Sequence, residues 1–278
     1  MKKEILNSID INVTDWGLNA IKAPSAWNKS KGEGVKIAVI DTGIDTTHPD
    51  LTRAIKATID LKNHTRSVAD EFGHGSHVAG LIAGLHTGVA PESELYIAKV
   101  LDNNGFGEMM NIMDGITFAI NYEVDILCMS LGITRELPSS MKKRLQQAYK
   151  KGITIVSAVG NSGVDRLNYP SFYDEVIAVG GVDKNLARAS FSNYGRELDV
   201  VAPSVDILST YKDNNYARMT GTSMATPLVA GGIALIKSYY RKQGIELSPR
   251  EIKDMLSKLG KRNHLYGYGF FDLEKLMD

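Results

Sequence analysis

Short, predominantly apolar runs recur along the chain and alternate with longer stretches whose apolar residues return every three or four positions. Val35 to Ile40, Leu95 to Val100, Ile126 to Met129, Ile153 to Ala158 and Val176 to Val179 carry the near-continuous aliphatic pattern of strands buried on both faces. Gly75 to Leu85, Glu108 to Tyr122, Ser139 to Lys150 and Ser223 to Arg241 predict helices. This alternation predicts an α/β domain, a mostly parallel sheet with helices on both faces. Ser248-Pro249-Arg250-Glu251 predicts a helix start, with Ser248 as cap, Pro249 in the first turn and Glu251 closing a capping box. No repeat, low-complexity tract or Pro/Gly-rich linker divides the chain. One domain over residues 11–278 is expected, after a short extension, 1–10.

Composition narrows the partners. Lys and Arg number 32, as do Asp and Glu, so the formal net charge of zero provides no field to gather nucleic acid or anionic lipid. The longest apolar stretch, Val229 to Ile236, is broken by Gly231 and Gly232 and is far short of the roughly 18 residues a membrane helix needs. Neither a nucleic-acid nor a membrane partner is expected. Met1 to Asp10 holds two lysines with no apolar core behind them, unlike a secretory signal. Cys128 is the single cysteine, which forbids an internal disulfide and fits a reducing compartment. The expected location is the cytoplasm.

In a parallel α/β sheet, ligands and reacting groups gather beyond the carboxyl ends of the strands. Three segments there carry chemistry. Asp41 ends an apolar strand, and Thr42-Gly43 turns the chain; alone it reads as a strand-ending turn residue. His74 and His77 open a small-residue helix, Gly73-His74-Gly75-Ser76-His77-Val78-Ala79-Gly80, and the flanking glycines permit close approach by another backbone or a substrate. Without a His-Glu-x-x-His pattern or a cysteine cluster, a metal site is not expected. Ser223, in Thr220-Gly221-Thr222-Ser223-Met224-Ala225-Thr226-Pro227, stands at the mouth of a helix. There it reads either as a cap or as a nucleophile served by free backbone N–H groups and the positive end of the helix dipole. Pro227 is expected in the first turn. The order Asp, His, Ser is that of subtilisin, against His-Asp-Ser in chymotrypsin and Ser-Asp/Glu-His in α/β-hydrolases. An α/β-hydrolase esterase is excluded by that order and by the lack of a Gly-x-Ser-x-Gly elbow.

These segments, with His48-Pro49-Asp50-Leu51, Met129-Ser130-Leu131-Gly132 and Val159-Gly160-Asn161-Ser162-Gly163, make the chain resemble the subtilisin-like serine proteases (subtilase family) from Trp16 to Phe271. The resemblance implies a serine endopeptidase working through an acyl-enzyme. Ser223 would be the nucleophile, His74 the general base and then acid, and Asp41 the residue that holds the imidazole tautomer. Asn161 and the Ser223 backbone N–H would form the oxyanion hole, and His77 would be a second, structural histidine. A protein or peptide substrate would lie extended between Gly105-Phe106-Gly107 and Ser130-Leu131-Gly132. Leu131-Gly132 and Ala158-Val159-Gly160 would wall the pocket for the residue before the cut. Asn168 falls at its floor, where many relatives have a small residue. As a phosphate loop, Gly105-x-Gly107 is a weak match, because it follows Asn103-Asn104 and not a strand.

Departures from the family pattern set further expectations. The short Leu81 to Pro91 stretch lacks the asparagine-rich loop that binds the tight calcium ion of many secreted relatives, so that calcium site is expected to be absent, with a structural calcium elsewhere left open; no cofactor is expected for the chemistry. Leu228 stands where a His is common, and Cys128 where a polar residue is common; Cys128 reads as a buried strand thiol. About ten residues precede the matching part, as in the intracellular branch, whose N-terminal extension can block the active site. Inactive relatives usually lose a triad member, whereas Asp41, His74, Asn161 and Ser223 are all present, which argues against a pseudoprotease scaffold. Broad protein turnover and dedicated leader or precursor processing stay open as roles.

Overall fold

Strand β2 (Lys36–Asp41) shows how the main sheet is built. Ile37 and Val39 point into one apolar core and Ala38 and Ile40 into a second, the period-two alternation of a strand covered on both faces. The computed structural model describes residues 3–10, 14–63, 65 and 67–278. Among these, the strands are β1 (Lys3–Leu6), β2, β3 (Ile55–Asp60), β4 (Glu94–Lys99), β5 (Ile126–Met129), β6 (Thr154–Ala158), β7 (Val176–Val182), β8 (Val200–Pro203), β9 (Ile207–Tyr211) and β10 (Asn215–Met219). The helices are α1 (Trp16–Ala20), α2 (Ala23–Ala26), α3 (His74–Ala83), α4 (Met109–Asn121), α5 (Ser139–Lys150), α6 (Thr222–Arg241), α7 (Pro249–Met255) and α8 (Leu273–Met277).

Seven strands pair in the order β3-β4-β2-β5-β6-β7-β8, all parallel. Helices α3 and α6 cover one face, where Val78, Leu81, Leu228 and Val229 meet Ile37, Val39 and Val156. Helices α4 and α5 cover the other, where Ile112, Ile116, Met141 and Leu145 meet Ala38, Ile40 and Leu127. The order turns at β2, which lies between β4 and β5, so the carboxyl end of β2 opens at a switch point of the sheet, and Asp41 is there. Buried throughout from Thr222 to Ser238, α6 is the molecule's central helix, which accounts for the apolar run at Val229 to Ile236.

The expected strands and helices are present with ends shifted by at most three residues. Helix α5 matches to the residue, and Ser248 caps α7 in a capping box with Glu251. Pro227 corrects one expectation: it is the sixth residue of α6 and not part of its first turn. A smaller antiparallel sheet, β1-β10-β9, was not expected. In it Lys3 pairs with Met219 and Leu6 with Tyr216. The extension 1–10 begins outside the described residues at Met1 and Lys2, and the expected domain start at Ile11 also lies outside them. Among the described residues no helix is long and apolar enough to cross a membrane.

Candidate active site

Asp41 is fully buried at the end of β2, and its Oδ1 meets His74 Nδ1 at 2.7 Å. The same oxygen accepts the Thr42 backbone N–H at 2.7 Å, so the turn after the strand holds the carboxylate toward α3. His74 is the first residue of α3, and Gly73 before it takes φ 92°, a left-handed conformation that glycine adopts without strain. Burial works against the imidazolium of His74, but the charge and hydrogen bond of Asp41, with the charge of Asp70 behind, outweigh it and hold the pKa above the usual value. His77 is the reverse case. Its Nε2 lies 3.1 Å from the Ile207 carbonyl and 3.0 Å from that of Ala217, tying α3 to β9 and β10, and burial pushes its pKa down to about 3. It is a neutral structural group.

Ser223 is the second residue of α6, and Gly221 precedes the helix. Its hydroxyl donates to the Ser130 carbonyl at 3.1 Å, while the Ser130 hydroxyl donates to the Ser223 carbonyl at 3.0 Å. Pro227 explains the second bond: with no N–H, it leaves the carbonyl four residues back, that of Ser223, without its helical partner. Ser130 supplies one. Asn161 follows β6, and its Oδ1 accepts both the backbone N–H (2.8 Å) and the hydroxyl (3.0 Å) of Thr222. That fixes the amide, turning its NH2 end away from Thr222.

His74, Ser223, Ser130, Leu131, Gly132, Gly105, Phe106 and Gly107 line one cavity of about 410 Å³. Gly105 to Gly107 form a tight hairpin turn, closed by the Asp102 N–H donating to the Phe106 carbonyl (2.8 Å) and organised by the Asp102 carboxylate, so the phosphate-loop reading falls away. Phe106 is 73% exposed at the rim. Asn168 and the Ala158-Val159-Gly160 segment are not part of this cavity lining; they stand beside it. Asn168 donates its backbone N–H to the Val159 carbonyl at 2.9 Å, and its side chain packs against Gly132 and Gly160. Cys128 is fully buried, and burial pushes its thiol up, away from the reactive thiolate.

Four contributors escaped the sequence reading. Phe72 lines the cavity beside His74, with ring centroids 6.4 Å apart, and Thr222 orients Asn161. Thr42 accepts the Gly75 N–H at its hydroxyl (2.9 Å), and Asp70 organises the start of α3. An acidic or polar residue at a loop position has no pattern to announce it; for Asp70 the only signal was its place four residues ahead of His74.

Comparison with known proteins gives the family. A model of the subtilase family matches residues 32–269. The chain is similar to the major intracellular serine protease of Bacillus subtilis (strain 168), at 44% identity over 247 residues, 83% of this chain and 77% of that protein. It is similar to subtilisin Savinase of Lederbergia lenta, at 41% over 265 residues, 93% of this chain and 97% of that one. A third relative is the intracellular serine protease of Paenibacillus polymyxa, 43% identical over 241 residues, 82% of this chain and 74% of that protein.

Proposed function

The chain belongs to the subtilase family, as a subtilisin-like serine endopeptidase, and we propose that Asp41, His74 and Ser223 are its catalytic triad and that it works in the cytoplasm on extended protein or peptide segments. The observation that carries the reading is the 2.7 Å contact of the buried Asp41 carboxylate with His74, on a cavity shared with Ser223 at a helix N-terminus.

Ser223 Oγ turns its proton from the Ser130 carbonyl to His74 Nε2 and attacks the scissile carbonyl. Asp41 keeps Nδ1 protonated and stabilises the imidazolium that forms. The developing oxyanion lies between the Asn161 amide and the Ser223 backbone N–H, at the positive end of α6. His74 then protonates the leaving amine, and water repeats the sequence on the acyl-enzyme. The substrate runs between Gly105-Phe106-Gly107 and Ser130-Leu131-Gly132, adding main-chain hydrogen bonds to both. Leu131-Gly132 and Ala158-Val159-Gly160, with Asn168 at the floor, receive the side chain before the cut.

No step needs a cofactor. Among the described residues no three His, Cys, Asp or Glu side chains group to hold a metal ion, and the buried Asp50 carboxylate beside the 81–91 segment is engaged by His86 at 2.8 Å. The short 81–91 segment and the engaged Asp50 support the reading that the usual tight calcium site is absent. The cytoplasmic assignment rests on the single buried thiol, Cys128, and on two relatives that carry the word intracellular in their names. Residues 11–278 are the peptidase domain; in the extension, β1 docks on β10.

Hydrolysis of an unstructured protein such as casein tests the reading. Wild type cleaves it, and Ser223→Ala and His74→Ala each lose the activity by several orders of magnitude. Turnover undiminished in Ser223→Ala would overturn the triad.

A further inference from the structure

A second carboxylate lies behind the first. Asp70 is 5% exposed and accepts five hydrogen bonds. Its Oδ1 takes the Thr42 hydroxyl (2.8 Å) and the backbone N–H groups of Phe72 (3.2 Å) and Gly73 (2.7 Å). Its Oδ2 takes the backbone N–H and the hydroxyl of Ser76, both at 2.7 Å. Thr42 follows Asp41, and Gly73 and Ser76 bracket His74. The Thr42 hydroxyl completes a bridge by accepting the Gly75 N–H at 2.9 Å.

We propose that Asp70 is a positioning residue of the active site, which clamps the Asp41 turn to the start of the His74 helix and adds its negative charge behind the imidazole. The proposal rests on the triad reading above. Two separate loops, one after β2 and one before α3, have to bring Asp41 and His74 to their 2.7 Å contact. One buried carboxylate with both oxygens saturated fixes their separation, and charge-assisted bonds to N–H groups at the start of α3 are the strong kind.

The charges around it are few. His74 is faced by Asp41 from β2, by Asp70 from the loop before α3 and by the neutral His77 from its own helix, with the Phe72 ring beside it and Ser223 on the shared cavity. Asp70 shares a second cavity with Asp45, Lys212 and Asp213, and Lys99 donates to the carbonyl of Ala69 next to it. Among these, Asp41 and Asp70 are the charges that favour the imidazolium of His74.

Asp70→Asn keeps the size of the side chain and removes its charge. The expected result is a kcat/KM profile whose acid limb moves down by about half to one pH unit, with a plateau reduced about tenfold or more. Thr42→Val removes one strut and keeps the charge, so its plateau falls while its limb stays in place. The His74 imidazole resonances, followed by NMR against pH, give the same shift without reference to turnover, which separates this proposal from the triad reading; that reading fails if Ser223→Ala or His74→Ala keeps wild-type activity. A wild-type acid limb and wild-type His74 titration in folded Asp70→Asn would overturn the proposal. Should Asp70→Asn not fold, an unchanged kcat in Thr42→Val overturns it.

Discussion

Ser130 and Ser223 exchange two hydrogen bonds, each hydroxyl donating to the other's backbone carbonyl, at 3.0 and 3.1 Å. The pairing couples the strand edge after β5 to the first turn of α6 and depends on Pro227, which frees the Ser223 carbonyl to accept. Ser130→Ala leaves that buried carbonyl unpaired and should cost about 1–3 kcal/mol of stability, read as a lower denaturation midpoint. The carbonyl of residue 130 still receives the Ser223 hydroxyl, so the nucleophile stays in place and the enzyme stays active. Stability equal to wild type would show that the exchange is not needed to satisfy the helix.

Thr222 holds Asn161 by its oxygen, leaving the amide NH2 for the oxyanion. Asn161→Ala should lower kcat by about 10²–10³ with little change in KM, the size of effect established for this donor in a subtilisin. Thr222→Val retains the backbone donor and removes the hydroxyl, so the loss should be smaller. Equal losses in the two variants would mean that the hydroxyl alone orients the amide.

Two histidines on one helix should leave opposite marks on pH profiles. His74 acts as a base only when neutral, and its pKa is held above the ordinary imidazole value near 6.5, so activity should fall with pH through an acid limb above that value. Its raised value also contributes stability that is present below the unfolded pKa and lost as pH rises through the folded one. His77, pushed down to about 3, is neutral when folded and takes a proton only when unfolded. Folding stability therefore falls as pH falls from about 6.5 toward 3. Thermal denaturation of wild type and His77→Asn across that window checks this, and the variant should show a shallower slope.

Gly75 lets α3 touch the turn after β2. A Cβ at this position would lie 2.2 Å from the Gly43 carbonyl oxygen, a backbone atom without freedom to yield. Gly75→Ala should push His74 away from Asp41, lowering kcat at least tenfold and costing about 1–3 kcal/mol. Wild-type activity in Gly75→Ala would show that the loop adjusts without disturbing the pair.

The sequence was most legible where burial imposes a pattern. β2, β5 and α5 are continuous apolar runs or a clean amphipathic helix, and their positions were readable to within a residue. β3 was not, because Ile55–Asp60 is a half-exposed edge strand that mixes Lys, Thr and Asp with its aliphatics. β9 and β10 form a small sheet whose residues include Ser, Thr, Asn and Arg, and β1 is short and exposed. The triad candidates could be found because Asp41, His74 and Ser223 each end or begin an element. Asp70 and Thr222 act by hydrogen bonds across loops, and such bonds leave no periodic trace in a sequence.

His74 should activate Ser223, and labelling with a fluorophosphonate probe reads that activation at the nucleophile itself. Wild type should be labelled at Ser223, Ser223→Ala should not be labelled, and His74→Ala should react slower by several orders of magnitude. Labelling of His74→Ala at the wild-type rate, or of Ser223→Ala at another residue, would show that His74 does not activate Ser223 as the nucleophile.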